Sequence, residues 1–442
     1  LNPTREYDKV CTPAFDRQAE RSPHPGRKFM NNEKRIEWLR AKGVRVLHPA
    51  SVYIAPEVDL ERIAPEVTLH AGSRLQGAAL SIGPKCEIGA EGPATVENCQ
   101  LGHNVALKGG FFSESVFFDG AQVGSESHVR PATILEEEAS AAHAVGLKQT
   151  IFFPFVTAGS LINFCDALMA GGTSRKHHGE IGSSYIHFNF TPHQDKATAS
   201  LIGDVPRGVR LDQPPVFLGG QGGMVGPVRI AYGTVVPAGC ILRQDILVPN
   251  QVYAPPPPRA QAPRPFFRGF YRSLRRTVRN NLLYIGNLLA LREWYRHVRR
   301  PFATNDPWRS ACVDGALGAL EVIFKERLKR LQETVDRVRE FLRSPPRDWE
   351  ASAGPDRVAD HRRWAACGAQ TVERVASIPS ASLALPARDR VLAAWSAADH
   401  SVSYVEAVRS LAPEVRETLT EWLQAIVDAA EACSPFQMED PS

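Results

Sequence analysis

Four of the chain's 13 histidines, His177, His178, His187 and His193, fall between positions 177 and 193, with Arg175, Lys176 and Lys196 flanking them. An imidazole can give or take a proton near neutral pH, and guanidinium and ammonium groups hold phosphate oxygens through charge-assisted hydrogen bonds. In GGTSRKHHGE (171–180) two glycines let the backbone approach a ligand while Thr173, Ser174, Arg175, Lys176 and His177 supply donors, which suits a phosphate cradle. The Gly-x4-Gly-Lys spacing of a P-loop is absent, and a solvated basic loop accounts for the same residues. His187 and His193 are the candidates for acid–base work, set against the plainer role of capped or surface histidines. The eight cysteines form no CxxC pair and show no zinc-like spacing, so reduced thiols and no metal are expected.

The element that must position these residues is written in a period of six: Leu218, Met224, Ile230, Val236 and Leu242, with Gly222, Val228, Thr234 and Cys240 four places after the first four of them. A helix needs apolar residues at three and four, and a half-buried strand at two, so neither fits. Six is the period of a hexapeptide β-helix, whose coils of about 18 residues carry three short strands around a shared core. The beat recurs at Ile63, Leu69 and Leu75, at Ile82 and Ile88, at Leu101 and Leu107, and at Val123, Val129 and Leu135. The glycines of GGQGGMVGP (219–227) then read as tight corners rather than a nucleotide loop. Three segments, 109–120, 148–181 and 187–200, read as irregular insertions that line one cleft.

The rest of the chain changes character. Residues 1–31 read as an irregular arm, 32–249 as the left-handed β-helix with a short helix at its start, 250–265 as a stiff proline-rich linker, and 266–442 as an all-α domain. Helices are expected over about 264–300, 307–343, 356–377, 386–399 and 402–433. Between Arg264 and Arg300 ten arginines face a single acid, Glu293, among seven aromatic side chains. Such a segment suits an acidic partner or membrane surface, but its apolar middle, NNLLYIGNLLAL, favours docking on the solenoid with the arginines meeting acids of later helices. A net charge of +4 gives no reason to expect nucleic acid, and the absence of a long apolar run or signal-like start suggests a cytoplasmic protein.

The opening EKRIEWLRAKGVRVLHPASVYIAPEV (33–58) and the coils after it resemble the C-terminal acetyltransferase domain of the bacterial bifunctional enzymes of UDP-N-acetylglucosamine synthesis, over roughly residues 33–248. The resemblance implies a trimeric left-handed β-helix, acetyl-CoA or another acyl-CoA as donor, and a phosphorylated sugar or nucleotide sugar as acceptor. Arg130, in the family's Arg-Pro pair, is implied to bind the sugar phosphate. Asn189 stands in the family's Asn-Tyr pair, where Phe190 has lost the hydroxyl, and Lys196 lies near the family's lysine. The family's general base is a histidine in Gly-His-Leu; a gap-free match places Asn163 and Phe164 there, and the Glu-x-Lys pair falls on Thr150 and Phe152. An apolar ring takes no proton, so either another base serves or the solenoid binds a ligand as a trimeric scaffold without catalysis. With about 40 residues before the coils, no pyrophosphorylase activity is expected of this chain.

Overall fold

A computed structural model describes residues 30–255 and 266–436; most of the expected arm and of the proline-rich linker therefore lies outside the described residues. The first element is the helix Asn32–Ala41, whose N-cap Asn31 accepts from the Lys34 amide, and Gly43 follows it at φ 104°. From Arg45 the chain winds into a parallel β-solenoid of about 11 turns. Each coil lays one short strand on each of three faces. Face A runs from Arg45–Val46 to Val235–Val236, and face B from Tyr53–Ile54 to Ile241–Leu242. Face C runs from Ser81–Ile82 to Arg229–Ile230.

The six-residue beat steps from face to face, so Leu218, Met224, Ile230, Val236 and Leu242 all point into one interior and none is more than 2% exposed. Burying each such side chain contributes about 1.5–3 kcal/mol, and stacking the coils makes those contributions continuous. The glycines of 219–227 are structural: a side chain at Gly219 would run into the backbone of Ala238, and one at Gly226 into the carbonyl of Thr198.

Two of the three segments expected to be irregular turn out to be coil. Residues 109–120 supply the strands Gly110–Ser113 and Val116–Phe117, and 148–181 holds most of the long strand Gly146–Phe152 and all of Asn163–Met169. Each long strand turns from face B to face C through one left-handed residue, Gln149 (φ 49°) and Asp166 (φ 57°). Only the hairpin Gly172–Ser174/His177–His178 leaves the coil there, whereas 189–199 does loop out between Ile186–Phe188 and Ser200–Ile202. The alternation was hidden because face C is buried on both sides. Ser81, Gln100, Val116, Ile134, Ile151, Leu168 and Leu201 point outward from it, and none is more than 6% exposed. Strands covered on both sides read as apolar runs.

The cover is helical. Leu274–Trp294 lies against Ser200–Ile202, and the long helix Pro307–Arg343 lies against Ser81–Ile82, Gln100–Leu101 and Val116–Phe117. Pro355–Ala376, Leu385–Ser396, Tyr404–Arg409 and Pro413–Glu431 pack outside or beside these. The first helix begins ten residues later than expected, after Gly269 turns the chain at φ 85°. The segment expected as one helix over 402–433 is two, because Pro413 lacks an amide donor and opens a new helix at its first turn. Seven of the ten arginines of this region pair with acids among the described residues. Arg275 pairs with Asp360 at 2.8 Å, Arg279 with Glu431 at 2.5 Å and Arg276 with Asp245 at 3.3 Å. Arg299 binds Glu137 at 2.8 Å and Glu136 at 2.9 Å, and the Tyr295 hydroxyl donates to Glu136 at 2.6 Å. No described helix is long and apolar enough to cross a membrane.

Candidate ligand site on the open face of the solenoid

No described helix covers face B. Successive coils place Phe111, His128, Gly146, Asn163 and Ile186 side by side in one outward row. Two residues further along each strand, toward the corner with face C, a second row holds Lys148 beside Cys165. Arg130 joins that row: its amide donates to the Leu147 carbonyl at 2.9 Å, which seats it beside Lys148 on the preceding coil. Its guanidinium reaches over Lys148's coil and donates to the Cys165 sulfur at 3.1 Å. Burial pushes the Cys165 thiol upward, Arg130, Lys148 and Lys196 pull it down less, and the sulfur is a neutral acceptor rather than a nucleophile.

The three cations around Cys165 have no carboxylate within ion-pair distance among the described residues. The nearest acid, Asp166, is already committed: buried at the corner, it accepts from Asn189 Nδ2 at 2.6 Å and from the Arg327 guanidinium at 2.8 Å. Arg327, from the long helix, also donates to Gln149 Oε1 and to the Lys196 carbonyl, each at 3.1 Å. Helix, corner and loop are thereby tied into one network that leaves positive charge facing outward. Partly buried and uncompensated, such a cluster is suited to phosphate oxygens.

The sequence-derived candidates separate into two places. Arg130, Asn189, Lys196, His187 and His193 lie at the corner between faces B and C. Arg175, Lys176 and His177 belong to the hairpin at the corner between C and A, where Arg175 donates to the Glu138 and Phe155 carbonyls at 2.9 and 3.2 Å. The covered face stands between the two groups, so they do not share a cleft. His177 is exposed, with Nδ1 3.1 Å from the Thr173 hydroxyl. His187 is buried; one ring nitrogen meets the Cys165 carbonyl and the other is 2.9 Å from Ser200 Oγ. Burial also lowers its affinity for a proton. His193 accepts from the Gly269 amide at 3.1 Å and lies on Tyr271, whose hydroxyl donates to Asp195 at 2.6 Å.

Phe164 points inward and packs among Phe152, Tyr185 and His187, while Thr150 donates to the Phe164 carbonyl at 2.8 Å and Phe152 is core. All three are fully buried. The outward residue missed in the sequence is Lys148, 18 residues, or one coil, after Arg130; that spacing was the signal. A second is Ser160, in the triplet Gly159-Ser160-Leu161. It sits at the corner between faces A and B, and Ser160 Oγ is 3.0 Å from Nδ1 of the exposed His143 on the preceding coil.

The described chain is thus a parallel solenoid of hexapeptide coils with a cationic cluster on its open face. The particular relatives are bacterial proteins named bifunctional protein GlmU. That of a Thermotoga species is 27% identical over 214 residues, 48% of this chain and 42% of the relative. That of Thermus thermophilus is 30% identical over 213 residues, with the same shares, and that of a Geobacillus species is 22% identical over 204 residues. The chain thus spans about 42% of the length of the first curated relatives it matches. No protein-family model matches it.

Proposed function

We propose that the open face binds a phosphorylated amino sugar or nucleotide sugar and that the protein transfers an acyl group to it from acyl-CoA, with acetyl-CoA as the donor suggested by the family resemblance. The observation that carries the binding half is the pair Arg130 and Lys148, adjacent on neighbouring coils with no carboxylate partner among the described residues, beside Asn163 and Lys196. In the transfer the sugar amine attacks the thioester carbonyl, the C–N bond forms, the C–S bond breaks and coenzyme A leaves as its thiolate. The amine proton then passes to His143, the exposed imidazole at Ser160. His187 and His193, with ring nitrogens engaged, hold the 189–199 loop in this reading.

The exposed stripe Phe111, Ile186, Phe188 and Ile241 on the same face is 37–40% exposed. Covering it with a second copy would assemble a homotrimer and bring the A/B corner of one subunit, with His143, toward the B/C corner of the next. Loss of the family's histidine from Gly-His-Leu supports a second reading, in which the protein binds the same ligand without transforming it.

Calorimetry with glucosamine 1-phosphate, UDP-N-acetylglucosamine and acetyl-CoA, paired with an acyl-transfer assay, tests both halves. Arg130→Ala or Lys148→Ala is expected to weaken sugar-phosphate binding about ten- to hundredfold, the equivalent of one lost charge-assisted hydrogen bond of about 1.5–3 kcal/mol. His143→Ala is expected to abolish transfer and leave binding. Unchanged affinity in the Arg130/Lys148 double variant removes the site; binding without any transfer in the intact protein selects the scaffold reading.

A further inference from the structure

At the other edge of face C, between solenoid and helices, lies a cavity of about 450 Å³. Cavities of roughly 300–1,000 Å³ are the size that holds small organic ligands. Phe118 and Phe155, from coil corners, line one side, and Phe302 and Tyr404, from the helical layer, line another. The inner wall is electrically closed: Arg299 is held by Glu136 and Glu137 and lies 3.8 Å from the Tyr404 ring, and Arg309 pairs with Asp119 at 2.8 Å.

The rim is not closed. Arg175 spends one terminal nitrogen on two carbonyls and the Thr157 hydroxyl, and Arg409 donates to the Thr173 carbonyl while lying over the Phe155 ring. Both have only neutral acceptors, and Lys176 beside them is exposed. No carboxylate lies within ion-pair distance of these three cations among the described residues. Of the acids that line the cavity, Glu406 is held by the Ser403 amide and hydroxyl at 3.0 and 2.7 Å, and the Glu138 side chain is exposed.

We propose that this cavity is a second ligand site, for a nucleoside phosphate. A flat ring system lies against the phenylalanines, the phosphates meet Arg175, Lys176 and Arg409, and Glu138 accepts from sugar hydroxyls. The site is built jointly by the hairpin and the helical layer, stands apart from the Arg130 cluster, and does not depend on the transfer reaction.

Calorimetry on the full chain with ADP, UDP and inorganic phosphate tests it. Saturable binding of a nucleoside diphosphate is expected, weakened about tenfold or more in the Arg175→Ala, Lys176→Ala double variant and persisting in the Arg130→Ala, Lys148→Ala double variant, which removes only what binds on face B. No saturable binding, or binding indifferent to Arg175 and Lys176, overturns the proposal. Inorganic phosphate binding as tightly as ADP also overturns it, by leaving the aromatic wall without a role. Loss of nucleotide binding in the Arg130/Lys148 variant overturns it too, by moving the nucleotide to face B and leaving that site standing.

Discussion

Faces B and C of the solenoid are made by the same coils around the same core, yet their outward rows carry opposite chemistry. Face C shows Val116, Ile134, Ile151, Leu168 and Leu201 to the helices, and its edges are fastened by buried ion pairs at Glu136, Glu137 and Asp166. Face B shows Arg74, His128, Arg130, Lys148 and Asn163 to solvent, interspersed with Phe111, Ile186 and Ile241. The inward half of a β-solenoid strand is dictated by the coil, whereas the outward half is free to follow its partner. Here one face has acquired an intramolecular partner, and the other stays exposed with a mixture of polar and apolar side chains.

The sharpest way to break this contrast is at Arg327. Replacing it with leucine leaves Asp166 buried without its cation, and breaking a buried pair from one side costs about 3–5 kcal/mol. Urea unfolding should show that loss, and Asp166→Asn in the same background should restore part of it. Equal midpoints for the intact protein and the variant would mean that the helices are not fastened there.

Next comes pH. Glu136 shares Arg299 with Glu137, and burial first, then the neighbouring carboxylate, pushes it up to about 7 against the pull of the guanidinium. Its proton is bound more tightly in the folded state than in the unfolded one. The resulting stabilisation is fully present below about pH 4.5 and is lost as pH rises through about 7, on the order of 3 kcal/mol in all. Stability curves for the intact protein and Glu136→Gln should therefore converge in acid and separate between those limits, with the variant flatter; parallel curves would place the titration elsewhere.

The smallest effect on stability is expected on the open face. Ile186→Asp should change unfolding by about 0.5 kcal/mol or less, as an exposed substitution does. The same change should turn a trimer into a monomer by light scattering. A protein that is monomeric before the substitution is made removes face B from the assembly.

Much of the interior could be read directly, because each inward residue repeats at a spacing set by the coil itself. Leu218 to Leu242 and Ile63 to Leu75 needed nothing beyond that period. Arg130 drew notice through its Arg-Pro pair, while Lys148 beside it went unread because 148–181 looked irregular; counting one coil from Arg130 would have reached it. The doublets Val116-Phe117, Ile134-Leu135, Ile151-Phe152 and Leu168-Met169 were in plain view as well. Paired apolar residues in a period of six mean a strand buried on both sides.

By itself the sequence determined the solenoid, its core residues and the helical composition of the C-terminal region, since all three rest on spacings within a coil or a helical turn. Only the tertiary structure decided which face the helices close, that Asp166 serves Arg327 and Asn189 at once, and that Arg175 and Lys176 stand across a covered face from Arg130. Those outcomes depend on partners as distant as the 161 residues between Asp166 and Arg327. A local pattern carries no record of such a pairing; the matching of buried charge and apolar surface between whole faces does.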